Sequence, residues 1–432
     1  MINFGQLWRM AIWQYAGFVI NFLVQIALTA LLPTSYFGYM ATLQVSMELL
    51  TGITTLSFHG TLYRTYNEDI EKTTNHALFL GILQAAITLT LSGGIAYYFY
   101  TNSQFDWKAI LFCLLYQVSI IANNFKMIIY TALEKHKTFV RNSQIESSIN
   151  LMIGIVLVAW AWYFPSVEVL MTKVCLPSIT LSIIYIIFYY YKGFRLTIPH
   201  IDKALLKVFL KNSFNNYFAR TADSLYNRID ILLAKYFFND LEIGIYERIK
   251  YFAGLPNYLL NSTNSRILLV IYGAANKQLH VLQRVNFITF TTNFFLYLEL
   301  FIFLHLLSYF INNPVLQAIF PLYLSLWYFG GVNTVRNNVR IYLFIKHHVF
   351  RNAIKLFTVP TIIFCVMVAS IYVLKSPINL PIWAFLYSLS QIASFVLLPK
   401  KLYWLYVRRY TQYYWYWGKK KYKYFRYKKS SI

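Results

Sequence analysis

Apolar runs of about 20 residues, the length an α-helix needs to cross a bilayer, follow one another at roughly 35-residue intervals along the whole chain. Their limits predict about twelve helical spans, at roughly residues 10–32, 37–63, 76–100, 108–133, 142–163, 168–191, 208–237, 241–272, 285–310, 314–343, 352–374 and 380–407. Spans seven and eight break the apolar pattern in a regular way. In the seventh, Asn216, Arg220, Asp223, Asn227 and Asp230 recur at intervals of four, three, four and three. In the eighth, Glu247, Lys250, Gly254, Asn257, Asn261 and Asn264 recur at three, four, three, four and three, so each set occupies one face of a helix. Helices lying on a membrane surface also segregate charge this way. If the segments cross the bilayer, a mid-membrane charge costs about 2.5 to 3.5 kcal/mol even on a lenient scale, so these side chains must face one another, water or a ligand. The stripes then predict two transmembrane helices whose polar faces line a shared wet cavity.

Milder stripes occupy the first two spans: Gln14, Gly17, Asn21 and Gln25 in one, and Gln44, Glu48, Thr51, Thr55 and His59, ending at Arg64, in the other. Helix-to-helix hydrogen bonding and cavity lining explain these equally well. Glu48 and His59 are placed to carry a proton during transport, although a lone intramembrane acid or histidine also serves as a structural partner. Spans three, five, six, nine, eleven and twelve are plainer, and the pattern assigns no role to Glu146, Lys173, Glu299 or His305 within them. Spans four and ten become polar near one end, through Asn123, Asn124 and Lys126 and through Asn333, Arg336, Asn337, Asn338 and Arg340. Lys126 and Arg340 are long enough to snorkel to the interface.

Composition narrows the class. The 432 residues are 58% hydrophobic and 12% charged, against about 25% charged in soluble domains, and no segment remains for a soluble catalytic domain. Cys113, Cys175 and Cys365 sit far apart in apolar runs, so neither a metal site nor a disulfide framework is indicated. Only Arg9 precedes the first long run, with no small-residue cleavage site, which reads as a retained first span. The net charge of +24 lies in loops, in a few intramembrane positions and in the tail, which points to anionic lipids and an anionic cargo and not to nucleic acid. Lys72, Lys135, Lys137, Arg141, Lys192, Arg195, Lys203, Lys207, Lys277, Arg284, Lys346 and Arg351 fall in or beside the even-numbered connections, while the turns near Pro33, Asn239 and Pro314 are nearly free of Lys and Arg. By the positive-inside rule both termini are cytoplasmic. The tail, rich in Tyr, Trp and Lys, reads as an interfacial anchor or a docking segment.

The two halves echo each other. NNFK at 123–126 followed by KHKTFVRN at 135–142 is answered by NNVR at 337–340 followed by KHHVFRN at 346–352. Tyr36, Phe37, Gly38 and Tyr39 open span two, and Ile243, Gly244 and Tyr246 open span eight, with Arg64 and Arg266 at comparable depth afterwards. Six spans per repeat in one orientation imply two bundles related by an axis along the membrane normal, with the cargo site between them. The expected fold is an all-α polytopic membrane protein of about twelve transmembrane helices in two six-helix bundles around a central cavity. Its parts are residues 1–200, residues 201–407 and a basic aromatic cytoplasmic tail at 408–432.

The opening LWRMAIWQYAGFVINFLVQIALTALLPTSYFGYMATLQVSMELL and the segment RIDILLAKYFFNDLEIGIYERIKYFAGLP at 228–256 resemble the polysaccharide flippases, O-antigen type included, of the multidrug/oligosaccharidyl-lipid/polysaccharide exporter superfamily. With the twelve-span layout the likeness covers nearly the whole chain. It implies alternating access between two lobes, with spans one, two, seven and eight lining the lumen. The implied cargo is an undecaprenyl-diphosphate-linked oligosaccharide moved from the cytoplasmic to the outer leaflet of a bacterial inner membrane. Cations that would meet the diphosphate are Arg64, Lys126, Arg220, Arg228, Lys250, Arg266, Arg336 and Arg340. Guanidinium offers forked hydrogen bonds to phosphate oxygens, while Asn216, Asn227, Asn257 and Asn261 suit sugar hydroxyls. Asp223 and Asp230 would pair with these cations when the site is empty or couple transport to a proton or sodium ion, and Glu48, His59 and Glu247 join them as coupling or gating positions. No other cofactor is implied, and other polysaccharide-assembly membrane proteins are candidate partners.

Two other functions compete. A multidrug efflux transporter of the same superfamily would carry an acidic lumen for lipophilic cations, whereas this lumen has a basic excess. A membrane-embedded glycan polymerase or acyltransferase would need a large outer loop or a His and carboxylate cluster at an interface, and His76, His136, His200, His280, His347 and His348 lie in or near cytoplasmic connections.

Overall fold

A computed structural model describes residues 4–54, 58, 62, 70–101, 107–135, 139–197, 202–272, 278–334, 336, 349–374 and 377–396. The described chain is helical, with no strand among these residues. Its elements are α1 (Phe4–Leu31), α2 (Thr34–Thr54), α3 (Ile70–Thr101), α4 (Trp107–Lys135), α5 (Phe139–Tyr163), α6 (Val167–Tyr191), α7 (Lys203–Ala234), α8 (Asp240–Tyr272) and α9 (Gln278–Leu307). Two short helices follow, α10 (Pro314–Gln317) and α11 (Ile319–Ser325), then α12 (Val349–Val373) and α13 (Leu380–Val396).

Local chemistry marks the helix ends. Pro33 separates α1 from α2, since a proline cannot donate to the preceding turn. Asn239 and Glu242 form a reciprocal box at the start of α8. The Asn239 side chain accepts from the Glu242 N–H at 2.9 Å, and the Asn239 N–H donates to the Glu242 carboxylate at 3.1 Å. Asp202 caps α7, accepting from the Ala204 and Leu205 N–H groups, and pairs with Lys72 at 2.9 Å, tying α7 back to α3. The Lys72 ammonium, helped by the cap, holds the Asp202 carboxyl below its ordinary value.

Among the described residues, six stretches are long and apolar enough to cross a membrane by length and composition: Ile12–Leu31, Glu71–Gly94, Trp107–Leu133, Val140–Tyr163, Val167–Tyr191 and Ile288–Leu307. α2, α7 and α8, of 21, 32 and 33 residues, have the length but not the hydropathy. They carry stripes of polar residues, and they bury part of those stripes against one another.

The first six helices pack largely among themselves, α1 on α5, α4 on α6 and α3 on α4, while in the second half α12 packs on α7 and α13, and α9 on α8. α2 joins the two sets by packing against both α7 and α8. Ala41 and Val45 of α2 belong to the core of the second half, whereas Phe37, Met40, Leu43 and Met47 belong to that of the first. Where α2 meets α8, Gly38 faces Gly244. A Cβ on either would overlap the other helix's backbone, at the Asp240 carbonyl for Gly38 and at the Thr34 carbonyl for Gly244. These are the glycines that open the two echoing segments, so the repeat places matching residues face to face where the bundles touch. The Asn313 side chain adds a bond across the same end, to the Thr29 carbonyl at 2.8 Å.

The expected continuous span over 314–343 is broken. α10 and α11 are followed by a single 3-10 turn at Trp327–Phe329 and by Gly330 and Gly331, the latter at φ +135°, where a side chain would be strained. Backbone groups freed inside a membrane need partners. The Phe329 carbonyl finds two, the side-chain amides of Asn257 at 2.8 Å and Asn293 at 2.7 Å, and Thr334 donates to the Asn257 oxygen. The apolar run looked continuous, but Pro321 and the glycine pair interrupt it.

Replacing Gly244 by Leu should force the α2 and α8 backbones apart and destabilise the fold by about 1 to 3 kcal/mol, the ordinary cost of overpacking a tight contact. Thermal unfolding in detergent would read this as a lowered midpoint relative to a control Leu at Gly93, where a Cβ meets nothing.

Candidate functional site

The helix faces that meet at the junction of α2, α7 and α8 carry three acid–base pairs. Glu48 of α2 receives a two-pronged contact from Arg228 of α7, Nε at 2.6 Å and Nη2 at 2.9 Å. One turn back on α2, the Gln44 amide donates to the same carboxylate at 2.8 Å, and the Tyr116 hydroxyl of α4 donates at 3.3 Å. The pair therefore links the first half of the chain to the second through a carboxylate whose lone pairs are well used.

Two residues further along α7, Asp230 points to a different neighbour. It is fully buried and is held by Lys250 of α8 through both oxygens, at 2.8 and 2.7 Å, and by the Tyr246 hydroxyl. Lys250 also donates to the Asn227 carbonyl at 2.9 Å and lies 4.5 Å from the centre of the Tyr387 ring. Arg228 and Asp230 differ by about 200° around the helix, so one faces α2 and the other α8.

A third pair sits beside them. Arg248 holds Glu247 at 2.5 Å, donates to the Gln25 side chain of α1 at 2.8 Å and lies over the Phe37 ring at 4.4 Å. Asn21 of α1 donates to the Tyr251 hydroxyl at 3.0 Å. With Glu48 and Arg228, these contacts make α1 and α2 on one side and α7 and α8 on the other a continuous polar seam.

The expected residues fall into groups. Glu48, Arg228, Asp230, Glu247 and Lys250 come together in the seam, and Asn227 joins through its backbone while its side chain is exposed. Asn257 lies elsewhere, buried and committed to the break in span ten. Arg336 is also buried, its guanidinium 4.0 Å from the centre of the Tyr226 ring and donating to the Asn333 side chain at 2.6 Å. Lys126 stays within the first bundle, 3.9 Å from Glu146. The side chains of Asn216, Arg220, Asp223, Asn261 and Arg266, and Arg64, His59 and Arg340 altogether, lie outside the described residues, as does the tail.

Arg248 was not visible as a site residue in the sequence because it stands off the stripe, next to Glu247. The one available signal was a charge on the otherwise apolar flank of α8. The phenols of Tyr116, Tyr246 and Tyr387 were hidden among 38 tyrosines. Among the described residues no group of His, Cys, Asp and Glu is arranged to hold a metal ion.

A family model described as "Polysaccharide biosynthesis protein" matches residues 8–269, more than half of the chain. No curated protein sequence matches. Solved structures share the fold at low identity. A lipid II flippase, MurJ, in an inward closed conformation is 14% identical with a TM-score of 0.62, covering 89% of this chain and 85% of that one. A MOP superfamily transporter from Pyrococcus furiosus, whose binding pocket has reverse polarity, is 15% identical with a TM-score of 0.61, over 90% and 93%. A MATE transporter in its straight conformation is 15% identical with a TM-score of 0.60, over the same shares.

Glu48→Gln should destabilise the protein by about 3 kcal/mol, because it leaves Arg228 poorly compensated, and the double change Glu48→Gln with Arg228→Gln should recover part of that loss. Thermal unfolding of the single and double variants measures the difference.

Proposed function

The chain belongs to the polysaccharide biosynthesis protein family, and within it we propose a flippase that moves a polyprenyl-diphosphate-linked oligosaccharide across the bacterial inner membrane for surface polysaccharide assembly. The observation that carries this reading is the seam itself: Arg228, Lys250 and Arg248 are held inside the membrane at the junction of the two bundles, each against a carboxylate. The low identity to MurJ and the MATE transporters supports the fold and leaves the cargo to be argued from these residues.

A diphosphate entering a low-dielectric passage needs cations that are already desolvated and aimed. Arg228 and Lys250 meet that need, and their resting partners Glu48 and Asp230 keep the site neutral between cargoes. When the diphosphate takes over the cations, the two carboxylates are released, and a proton or sodium ion taken up by them would couple the cycle. The Gly38 and Gly244 contact closes the bundles at the end that loop charge assigns to the outer face, with both termini cytoplasmic. Alternating access then consists of separating that contact after the cargo has replaced the ion pairs. Anionic lipids would meet the basic loops and tail, and other assembly proteins of the inner membrane are the expected partners.

An efflux transporter for lipophilic cations is the competing reading, and the pairing of Glu48, Asp230 and Glu247 with basic groups leaves it the less favoured. Mass spectrometry of lipid-linked oligosaccharides in cells with and without the gene decides between them. Deletion should raise the undecaprenyl-diphosphate oligosaccharide pool and abolish the surface glycan, with recovery on complementation. An unchanged pool together with new sensitivity to cationic drugs would replace the flippase reading by efflux.

A further inference from the structure

Away from the charged seam, α1, α5 and α6 surround a cavity of about 420 Å³, within the range of small-molecule sites, about 300 to 1,000 Å³. Its wall includes Gln14 and Asn21 from α1, Glu146, Ser147 and Asn150 from α5, and Lys173 from α6. Glu146, Ser147 and Asn150 recur at helical spacing, so one face of α5 is turned into the hollow. Three helices packed only for stability inside a membrane would bury small or apolar side chains there, so this concentration of amides and charge requires another reason.

The charges on the wall do not balance. Glu146 is answered from outside the cavity by Lys126 of α4 at 3.9 Å. Lys173 has no carboxylate within ion-pair distance among the described residues, Glu247 acting on it only from farther off; its ammonium lies 6.0 Å from the centre of the Tyr251 ring, whose hydroxyl accepts from Asn21. A ring face is a weaker partner than a carboxylate, and Arg248, 5.2 Å from the centre of the same ring, already has Glu247 as its counter-ion. Of the two charged side chains on the wall, Lys173 is the one with no counter-ion in contact among the described residues.

We propose that this cavity binds one sugar unit bearing a single carboxylate, an acidic hexose of the lipid-linked oligosaccharide, with Lys173 receiving the carboxylate and Gln14, Asn21 and Asn150 the hydroxyls. The proposal rests on the flippase reading above and adds a sugar subsite within the first bundle, separate from the seam that would hold the diphosphate. A monoanion gives Lys173 a counter-ion in contact. The diphosphate fits less well here, because Glu146 shares the cavity and would repel a multiply charged group, and because Lys173 is a point charge and not a fork.

Binding to the full-length protein in lipid nanodiscs tests this with three probes: a disaccharide containing one uronic acid, its neutral counterpart and inorganic pyrophosphate. The acidic disaccharide should bind more tightly than the neutral one, and Lys173→Met should weaken it about tenfold, the loss of one hydrogen bond to a charged group, while Lys173→Arg retains most of the affinity. Asn150→Leu, which fills the cavity without changing its charge, should weaken the same probe and serves if Lys173→Met does not fold. Failure of the native protein to bind the acidic probe, equal binding by the native protein and the variants, or Lys173-dependent binding of pyrophosphate in its place, would overturn the assignment. Failure of the flippase reading would appear separately, as a lipid-linked pool indifferent to the gene.

Discussion

An ammonium or guanidinium inside a bilayer has to be matched by an acid or by dipoles, and that requirement arranges the centre of this molecule. Glu48 with Arg228, Asp230 with Lys250 and Glu247 with Arg248 use three helices to neutralise three cations. The pairs dictate the rotation of α7, which must turn Arg228 toward α2 and Asp230 toward α8 at once. They also explain why α2, α7 and α8 are too polar to register as membrane spans by hydropathy although each is long enough. Buried ion pairs are weak sources of stability, since desolvation cancels most of the attraction. Holding three of them at a junction between bundles costs stability that an apolar seam would not, a cost that the proposed exchange of the carboxylates for a charged cargo would account for.

Close packing at one end and exchangeable charge deeper in make a coherent device. Gly38 and Gly244 allow backbone contact between α2 and α8, and Asn313 reaches the Thr29 carbonyl nearby. Such contacts are short-ranged; in the proposed cycle they would separate as a unit, while each ion pair would give its cation to the cargo and its carboxylate to a proton or sodium ion. The broken tenth span belongs to the same economy. Its freed carbonyl at Phe329 is answered by Asn257 and Asn293, so irregular backbone is kept at membrane depth without an unsatisfied acceptor at that position.

Much of this was legible in the residues, and the limits are physical. Apolar run length marks where helices begin and end, because crossing a bilayer sets a minimum length. Helical spacing identified Asp230 and Lys250 as lying on polar faces, and their contact follows from both facing the same interface. The spacing could not reveal that Glu48 reaches Arg228, since that partnership depends on which helices adjoin. Arg248 was missed because it interrupts an apolar flank and does not extend a stripe. Asn257 matched the stripe yet serves the break in span ten, a demand created by Gly330 and Gly331 some seventy residues away. The echo between the two opening segments was a short match in a biased sequence, and it acquires meaning from Gly38 and Gly244 standing face to face.

The central claim is that Arg228 is held by Glu48 for the sake of the cargo and not for the fold alone. Exchanging the two, with Glu48→Arg and Arg228→Glu in one chain, keeps an ion pair between α2 and α7 but moves the cation to the other bundle. Thermal unfolding and surface-glycan export in a deletion strain would be measured together. The account predicts a stably inserted protein whose midpoint is close to that of the native chain and whose export is lost. Full export by the exchanged protein would contradict it and reduce the pair to a structural tie.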